Sequence, residues 1–192
     1  MSPQPSNRSA LIEGTLRCLE RLPPERVTAR AIAEESGANL ASIAYHFGSK
    51  DNLVTTAVIA GLDRWLEEIS APLGDLAALA PAERYRRAGE VLEATRQRHT
   101  GLARNFLGAL AKAQHDPRVR ELLADGFRRS RGEVAALLGL GGDQAGDDAG
   151  GLVLALFNGL LFQQLLDPDL GIEGERLQQA QARLGRVLPR SS

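Results

Sequence analysis

Apolar residues recur at three- and four-residue intervals along most of the chain, and no stretch alternates strictly between apolar and polar residues. This spacing places the apolar side chains on one face of an α-helix and predicts an all-α fold of about nine helices. The predicted helices cover residues 11–22, 29–35, 39–47, 50–70, 81–98, 101–114, 117–138, 151–166 and 174–188.

Proline, glycine and aspartate mark several helix ends. Pro23 and Pro24 stop the first helix, since proline has no amide hydrogen to continue the ladder. Pro72 and Gly74 end the long helix 50–70 in the same way. Asp116 stands before Pro117, so it is predicted to cap a helix whose first residue is that proline. Residues 139–151 are rich in glycine and aspartate. They predict a mobile acidic connector, because the ligand spacing of a calcium or dinucleotide loop is missing.

Two short helical patterns lie on either side of Gly37. The hydroxyl of Thr28 can accept a hydrogen bond from the following turn, and Gly37 can adopt the left-handed conformation that ends a helix. Asn39 can cap the second pattern, in which Ile43 and Phe47 share one face and pack inward. This arrangement predicts a helix-turn-helix whose second helix lies in the major groove of DNA.

The outward face of that second helix carries small or polar residues and one aromatic residue, which can reach base edges and phosphates. These residues are Asn39, Ala41, Ser42, Tyr45 and His46. Ser49 is predicted to cap the next helix, and the ammonium of Lys50 at that helix start would attract a phosphate. From these residues alone, a plain cap beside a solvated charge is an equally good interpretation.

Residues 37–53, GANLASIAYHFGSKDNL, together with the preceding Thr28, Arg30, Ile32 and Ala33, resemble the recognition-helix signature of TetR-type (tetracycline-repressor-like) transcriptional regulators. The resemblance implies a homodimeric, all-helical repressor with a helix-turn-helix domain at residues 1–54. It also implies an effector-binding and dimerisation domain at residues 55–192, joined to the first by the long helix. The first domain would bind a palindromic operator in double-stranded DNA, and a small effector would release it. The DNA contacts so implied are Thr28, Arg30, Asn39, Leu40, Ala41, Ser42, Tyr45, His46 and Lys50.

Two positions depart from the usual pattern of the family. Members often have a polar residue at the position of Leu40 and a tyrosine at that of Ala44. Helical spacing pairs these residues and favours turning both inward, whereas the resemblance turns Leu40 toward the groove. A leucine there could contact a thymine methyl group but could not form a hydrogen bond, so base readout would depend on its polar neighbours.

The charge balance argues against a broad basic surface. The net charge is −1, and residues 1–54 carry six basic and six acidic side chains. No carboxylate occurs from Ser36 to Lys50, so the predicted DNA surface is free of acidic groups. We therefore expect a few placed phosphate contacts, chiefly from Arg30, Lys50 and Tyr45, and a modest dependence of DNA affinity on salt.

Residues 152–166 are apolar nearly all round. This stretch is shorter than the roughly 20 residues of a membrane span and contains Asn158, Gln163 and Gln164, so it predicts a helix buried in protein. One face of that helix is predicted to lie against the same helix of a second subunit. The last pattern, residues 177–188, would complete this interface, and the resemblance implies the same two helices at the dimer contact.

The signal for a ligand site is weaker. The candidate residues are large apolar side chains and possible polar orienters, namely Trp65, His99, Phe106, Phe127, Phe157, Asn158, Phe162 and Gln163. Each of them is more often core than pocket. The resemblance implies a cavity between the long linking helix and its C-terminal neighbours, which makes Trp65 the first choice.

No catalysis, cofactor or metal site is predicted. The three histidines lack metal-ligand spacing, and the single cysteine, Cys18, has no partner for a nucleophilic pair. Cys18 is predicted to be a buried structural thiol in a reducing cytoplasm. The first residues lack the apolar core of a signal peptide and predict a loose arm carrying Arg8. A helical protein-interaction or ligand-carrier module without DNA binding remains the alternative function.

Overall fold

The computed structural model describes residues 7–73 and 78–187, and within these ranges it contains nine α-helices and no β-strand. The predicted all-α fold is thereby confirmed. The helices are α1 (Asn7–Arg21), α2 (Ala29–Ser36), α3 (Ala41–Phe47), α4 (Lys50–Ser70), α5 (Pro81–Arg96), α6 (Thr100–Lys112), α7 (Pro117–Leu138), α8 (Gln144–Leu166) and α9 (Gly174–Leu184).

The predicted helix caps are confirmed by hydrogen bonds. The backbone amide of Ala31 donates to the hydroxyl oxygen of Thr28 over 3.2 Å, and that of Asn52 donates to the hydroxyl oxygen of Ser49 over 3.1 Å. The carboxylate of Asp116 accepts bonds from two amides at the start of α7, over 2.9 and 3.1 Å. Each cap satisfies amides that have no partner inside the helix. Gly74, one of the two residues predicted to end α4, lies outside the described residues.

Contacts between residues divide the chain into two compact units, residues 1–154 and 155–192. The first unit contains α1 to α7 and the beginning of α8, and the second contains the rest of α8 and α9. The functional boundary predicted after residue 54 falls inside α4, so this helix runs from the predicted DNA-binding domain into the next one. That functional boundary stays a prediction.

Helix α4 lies at the centre of the first unit and packs against α1, α6 and α7. Its residue Gly61 allows a close approach: a Cβ atom there would lie 2.8 Å from Leu102 of α6 and 2.9 Å from Leu16 of α1. Leu11 of α1 and Leu53 of α4 are fully buried. Burying a leucine side chain contributes about 1.5–3 kcal/mol, so both residues stabilise the core of this unit.

The predicted mobile connector is only partly correct, because α8 begins at Gln144 rather than at residue 151. Only residues 139–143 form a loop between α7 and α8. A Cβ at Gly150 would lie 2.3 Å from the carbonyl oxygen of Arg131 in α7. Gly150 therefore allows a close approach of α7 and α8. The composition of the segment does not distinguish this use of glycine from a loop.

Helix α8 is not enclosed by the rest of its own chain, so the predicted burial in protein would need the second subunit and stays a prediction. Only 11% of its most apolar window is buried, and Leu152 and Leu166 are 74% and 85% exposed. At 23 residues it is also longer than predicted, and by length and composition alone it could cross a membrane. A single helix of this kind is weak support for a membrane span. Helix α9 ends at Leu184, before the predicted residue 188, which lies outside the described residues.

Candidate nucleic-acid interface

The turn between α2 and α3 has the geometry of a helix-turn-helix. Gly37 has a φ of 66°, the left-handed conformation that glycine adopts without steric cost, and it ends α2. The side-chain oxygen of Asn39, one residue before the N-cap Leu40, accepts a hydrogen bond from the amide of Ala41 over 2.9 Å and so satisfies the first amide of α3. Ile43 of α3 and Ile32 of α2 are buried. Both short helices pack against α1, which holds them in one domain.

Helix α1 supports α2 through a close contact and a charged cluster. A Cβ atom at Gly14 would lie 2.6 Å from the Cβ of Ser36, so the two helices touch at this point. The guanidinium of Arg17 donates to the carboxylate and to the backbone oxygen of Glu35, each over 2.7 Å. Arg21 donates to the same carboxylate over 3.1 Å. The bond from Arg17 lowers the pKa of Glu35. Both arginines, although exposed, are paired with a carboxylate of the same chain.

The face of α3 that the chain leaves uncovered includes Leu40, Ala41, Ala44 and Tyr45. Tyr45 is 86% exposed and Leu40 is 46% exposed. Leu40 and Ala44 therefore share an outward face, which differs from the inward orientation that helical spacing favoured. The buried positions of this short helix are taken by Ile43 and, in part, by Phe47, so no room is left for a second apolar pair. Ser42 and His46 are half-buried at the edges of this face.

The predicted phosphate-binding groups lie at the helix starts beside this face. Thr28 and Arg30 are exposed at the start of α2. The ammonium of Lys50 donates to the backbone oxygen of Val27 over 3.3 Å and lies 3.4 Å from Asp51. Because its side chain keeps 38% exposure, the ammonium retains access to solvent.

Arg8 belongs to the folded domain rather than to a loose arm, since α1 begins at Asn7. Its guanidinium carbon lies 5.4 Å from the centre of the Phe47 ring at the end of α3, within the range of a cation–π contact. Sequence reasoning missed this group as a DNA-contact candidate. Helical periodicity reports on neighbours within one helix and carries no signal for a contact between α1 and α3.

Four of the predicted ligand residues lie in the first unit and form two ring pairs. The ring of Trp65, which is 2% exposed, lies 4.6 Å from that of His99, and the rings of Phe106 and Phe127 are 5.9 Å apart. The Nε2 atom of His99 is 2.9 Å from the carboxylate of Glu68, and this hydrogen bond lowers the pKa of Glu68. Each ring pair therefore joins one buried side chain, Trp65 or Phe106, to one that is half-buried, His99 or Phe127.

The other four predicted ligand residues lie on α8 in the second unit, where three are half-buried and Gln163 is exposed. They are Phe157, Asn158, Phe162 and Gln163. The side-chain amide of Gln163 donates to the backbone oxygen of Gly159 over 3.2 Å, one turn earlier in the same helix. Their role in ligand binding stays a prediction.

A metal-binding cluster is absent from the part of the chain that the structure describes. No group of three or more histidine, cysteine, aspartate or glutamate side chains in residues 7–73 and 78–187 could hold a metal ion. Cys18 is buried, as predicted, and burial raises the pKa of its thiol. A thiol in that state is a poor nucleophile near neutral pH.

Two family models match the chain. Residues 11–57 match the model described as "Bacterial regulatory proteins, tetR family", and residues 81–189 match the model described as "BetI-type transcriptional repressor, C-terminal". No curated protein sequence matches the chain.

Several solved structures have the same fold. The multidrug binding protein EbrR complexed with imidazole is 24% identical and has a TM-score of 0.64, and the alignment covers 98% of each chain. EbrR complexed with proflavin is 22% identical with a TM-score of 0.62, covering 95% of this chain and 100% of that one. GusR of Salmonella enterica is 16% identical with a TM-score of 0.64, covering 98% of this chain and 97% of that one. At these identities the likeness concerns the fold alone.

Proposed function

The chain belongs to the TetR family of transcriptional regulators, and we propose that it is a repressor that binds a palindromic operator as a homodimer and leaves it when a small molecule binds. The observation that carries this proposal is the uncovered face of α3, on which Tyr45 is 86% exposed beside Leu40 and Ala41. A helix that presents small and polar groups in this way fits the major groove.

We assign two kinds of DNA contact to this surface. Base edges would be contacted from α3 and the two residues before it, namely by Asn39, Leu40, Ala41, Ser42, Tyr45 and His46. Phosphates would be contacted from the helix starts by Thr28, Arg30 and Lys50, to which the cation–π contact adds Arg8. Because Arg17 and Arg21 are engaged with Glu35, few cations remain for phosphate, which supports a modest dependence of affinity on salt.

A second copy of the chain is the proposed cover for α8 and α9. The exposed large apolar side chains of this region are Leu152, Leu156, Leu166, Leu170, Leu184 and Val187. A surface of this kind is rarely left open in a monomer, and a two-fold axis would bury the same residues on both subunits. The dimer would place two α3 helices on the two halves of a palindromic operator. The second subunit, rather than lipid, would then cover the apolar surface of α8, and the protein would act in the cytoplasm.

The effector is proposed to be a small molecule bound within residues 55–192. The match to a BetI-type repressor over residues 81–189 supports this assignment, as do the two complexes of the similarly folded EbrR with small molecules. The ring pair of Trp65 and His99 and the pair of Phe106 and Phe127 offer apolar surface for such a ligand if it enters beside α4. No catalytic activity is proposed.

Electrophoretic shift assays with a duplex selected from a random-sequence library test the proposal. The wild-type protein should bind the selected duplex as a dimer, and Tyr45→Ala or Lys50→Ala should weaken binding by about 1 kcal/mol or more. Arg128→Ala, which removes an exposed charge from α7, is the matched control and should leave affinity unchanged. If no duplex binds above the non-specific background, the regulator function is excluded and a helical interaction or carrier module becomes the better interpretation.

A further inference from the structure

The carboxylate of Asp51 lies between the two lysines of the chain. One oxygen forms an ion pair with Lys112 in the last turn of α6, and the other lies 3.4 Å from the ammonium of Lys50. Asp51 and Lys50 are both in the first turn of α4, whereas Lys112 comes from a different helix. A single half-buried carboxylate therefore joins α6 to the group proposed to bind phosphate.

The two lysines affect Asp51 in the same direction. Burial raises the pKa of its carboxyl group, but the hydrogen bond from Lys112 and the charges of both ammonium groups lower it further, so that the pKa lies below its ordinary value. Asp51 thus carries a full negative charge near neutral pH. That charge competes with DNA phosphate for Lys50, because both are anionic acceptors for the same ammonium.

We propose that Lys112 is a positioning residue for DNA binding, which holds the carboxylate of Asp51 and so leaves the ammonium of Lys50 available to a backbone phosphate. This inference rests on the proposed function, since it concerns the same phosphate contact. An ammonium has three donors, and Lys50 uses one on the backbone oxygen of Val27 over 3.3 Å. Without Lys112, the nearest cation for Asp51 is Lys50. DNA affinity then depends on the position of the last turn of α6.

The proposal predicts opposite effects for two substitutions that keep side-chain size. Lys112→Met frees the carboxylate to pair with Lys50 and should weaken DNA binding about two- to fivefold, the range of an exposed ion pair. Asp51→Asn removes the competing charge and should strengthen binding by a similar factor. The double variant should bind as Asp51→Asn does, because Lys112 acts only through the carboxylate.

A salt-controlled double-mutant cycle on the full-length protein tests this coupling. The wild type, Lys112→Met, Asp51→Asn and the double variant are each titrated with the selected duplex. Thermal melting confirms that each protein is folded. Arg104→Met provides the matched control, since it removes one charge from an exposed site on the same helix. A long-range charge effect would make Arg104→Met resemble Lys112→Met, whereas the proposal expects little change from Arg104→Met.

Each remaining outcome overturns the proposal in a recognisable way. If Lys112→Met weakens DNA binding by the same factor in the wild type and in the Asp51→Asn variant, Lys112 acts on DNA directly and the inference is wrong. The same conclusion follows if Lys112→Met leaves affinity unchanged. If the wild type binds the duplex and Tyr45→Ala weakens that binding, the proposed function stands and only the proposed role of Lys112 is wrong. If no duplex binds the wild type, the proposed function and this inference fall together.

Discussion

The indole nitrogen of Trp65 donates a hydrogen bond to the hydroxyl oxygen of Thr95 over 2.7 Å and so joins α4 to α5. Both side chains are buried, and the hydroxyl of Thr95 donates in turn to the backbone oxygen of Val91 over 2.9 Å. The polar edge of the only tryptophan is therefore satisfied within the protein. An effector that contacts Trp65 would use the face of the ring.

Thr95→Val should lower the free energy of unfolding by about 1–3 kcal/mol, because it leaves the buried indole N–H without its acceptor while keeping the side-chain shape. Denaturant titration followed by the fluorescence of Trp65 measures this. In a Trp65→Phe background, Thr95→Val should lower the free energy of unfolding by less, since no indole N–H is left without an acceptor. Circular dichroism monitors unfolding in that background. Equal costs in the two backgrounds would show that the hydrogen bond is not the cause.

Two glycines of α6 should respond to alanine in opposite directions. A Cβ atom at Gly101 would lie 2.2 Å from the backbone oxygen of Leu19, so Gly101→Ala must push α6 away from α1 and should cost about 1–3 kcal/mol. Gly108 is exposed, and a Cβ atom there would meet no other atom within 4 Å, so Gly108→Ala should stabilise the helix by about 0.5–1 kcal/mol. Unfolding midpoints that shift in the same direction would contradict this packing.

Arg8→Ala should weaken DNA binding uniformly across sequences and reduce the salt slope of the affinity by about 1, as expected for the loss of one phosphate contact. The cation–π contact with Phe47 places this guanidinium beside α3. Arg21→Ala removes the same charge from α1, but from a side chain already paired with Glu35, and should leave the slope unchanged. Equal slopes for wild type and Arg8→Ala would exclude the contact.

The stability of the protein should depend on Glu83 in acidic solution below about pH 4.5. Arg86 and Arg87 each donate to this carboxylate over 2.7 Å and lower its pKa from 4.5 to about 2. Because the pKa in the folded state is the lower one, the contribution of Glu83 is present above pH 4.5 and is lost as the pH falls toward about 2.

Thermal melting across this pH range should therefore show a difference between wild type and Glu83→Gln that shrinks as the solution becomes more acidic. Glu133→Gln, at an exposed position on α7, is the control for removing a surface carboxylate. A difference that stays constant from pH 4.5 to 2 would show that the two arginines do not favour the ionised form.

Leu152→Glu should convert the proposed dimer to a monomer without unfolding the chain, since Leu152 is 74% exposed in the isolated subunit. Sedimentation and light scattering at micromolar concentration measure the change, and circular dichroism checks the helix content. Gln144→Glu adds the same charge at an exposed site on α8 and should leave the dimer intact. If the wild-type protein is already monomeric at this concentration, the proposed interface does not form.

Much of the fold follows from short-range features of the sequence. Thr28, Gly37, Ser49 and Asp116 act on backbone groups within a few residues of themselves, so their roles at helix ends were predictable and are confirmed. The bounds of α4 and α7 agree with the periodic patterns for the same reason. The groups that a cap binds, and the residues that form an apolar stripe, lie within a few residues or turns in the chain. They can therefore be recognised without any tertiary contact.

The tertiary structure alone decided which distant groups meet. Gly150 approaches the backbone of Arg131, Arg8 packs on Phe47, and Lys112 pairs with Asp51, although nothing near each residue in the chain indicates its partner. It also decided that Leu40 faces outward, because Ile43 and Phe47 already supply the inner face of a helix of only two turns. Contacts of this kind depend on how helices are placed in space, whereas local periodicity determines only which face of each helix is apolar.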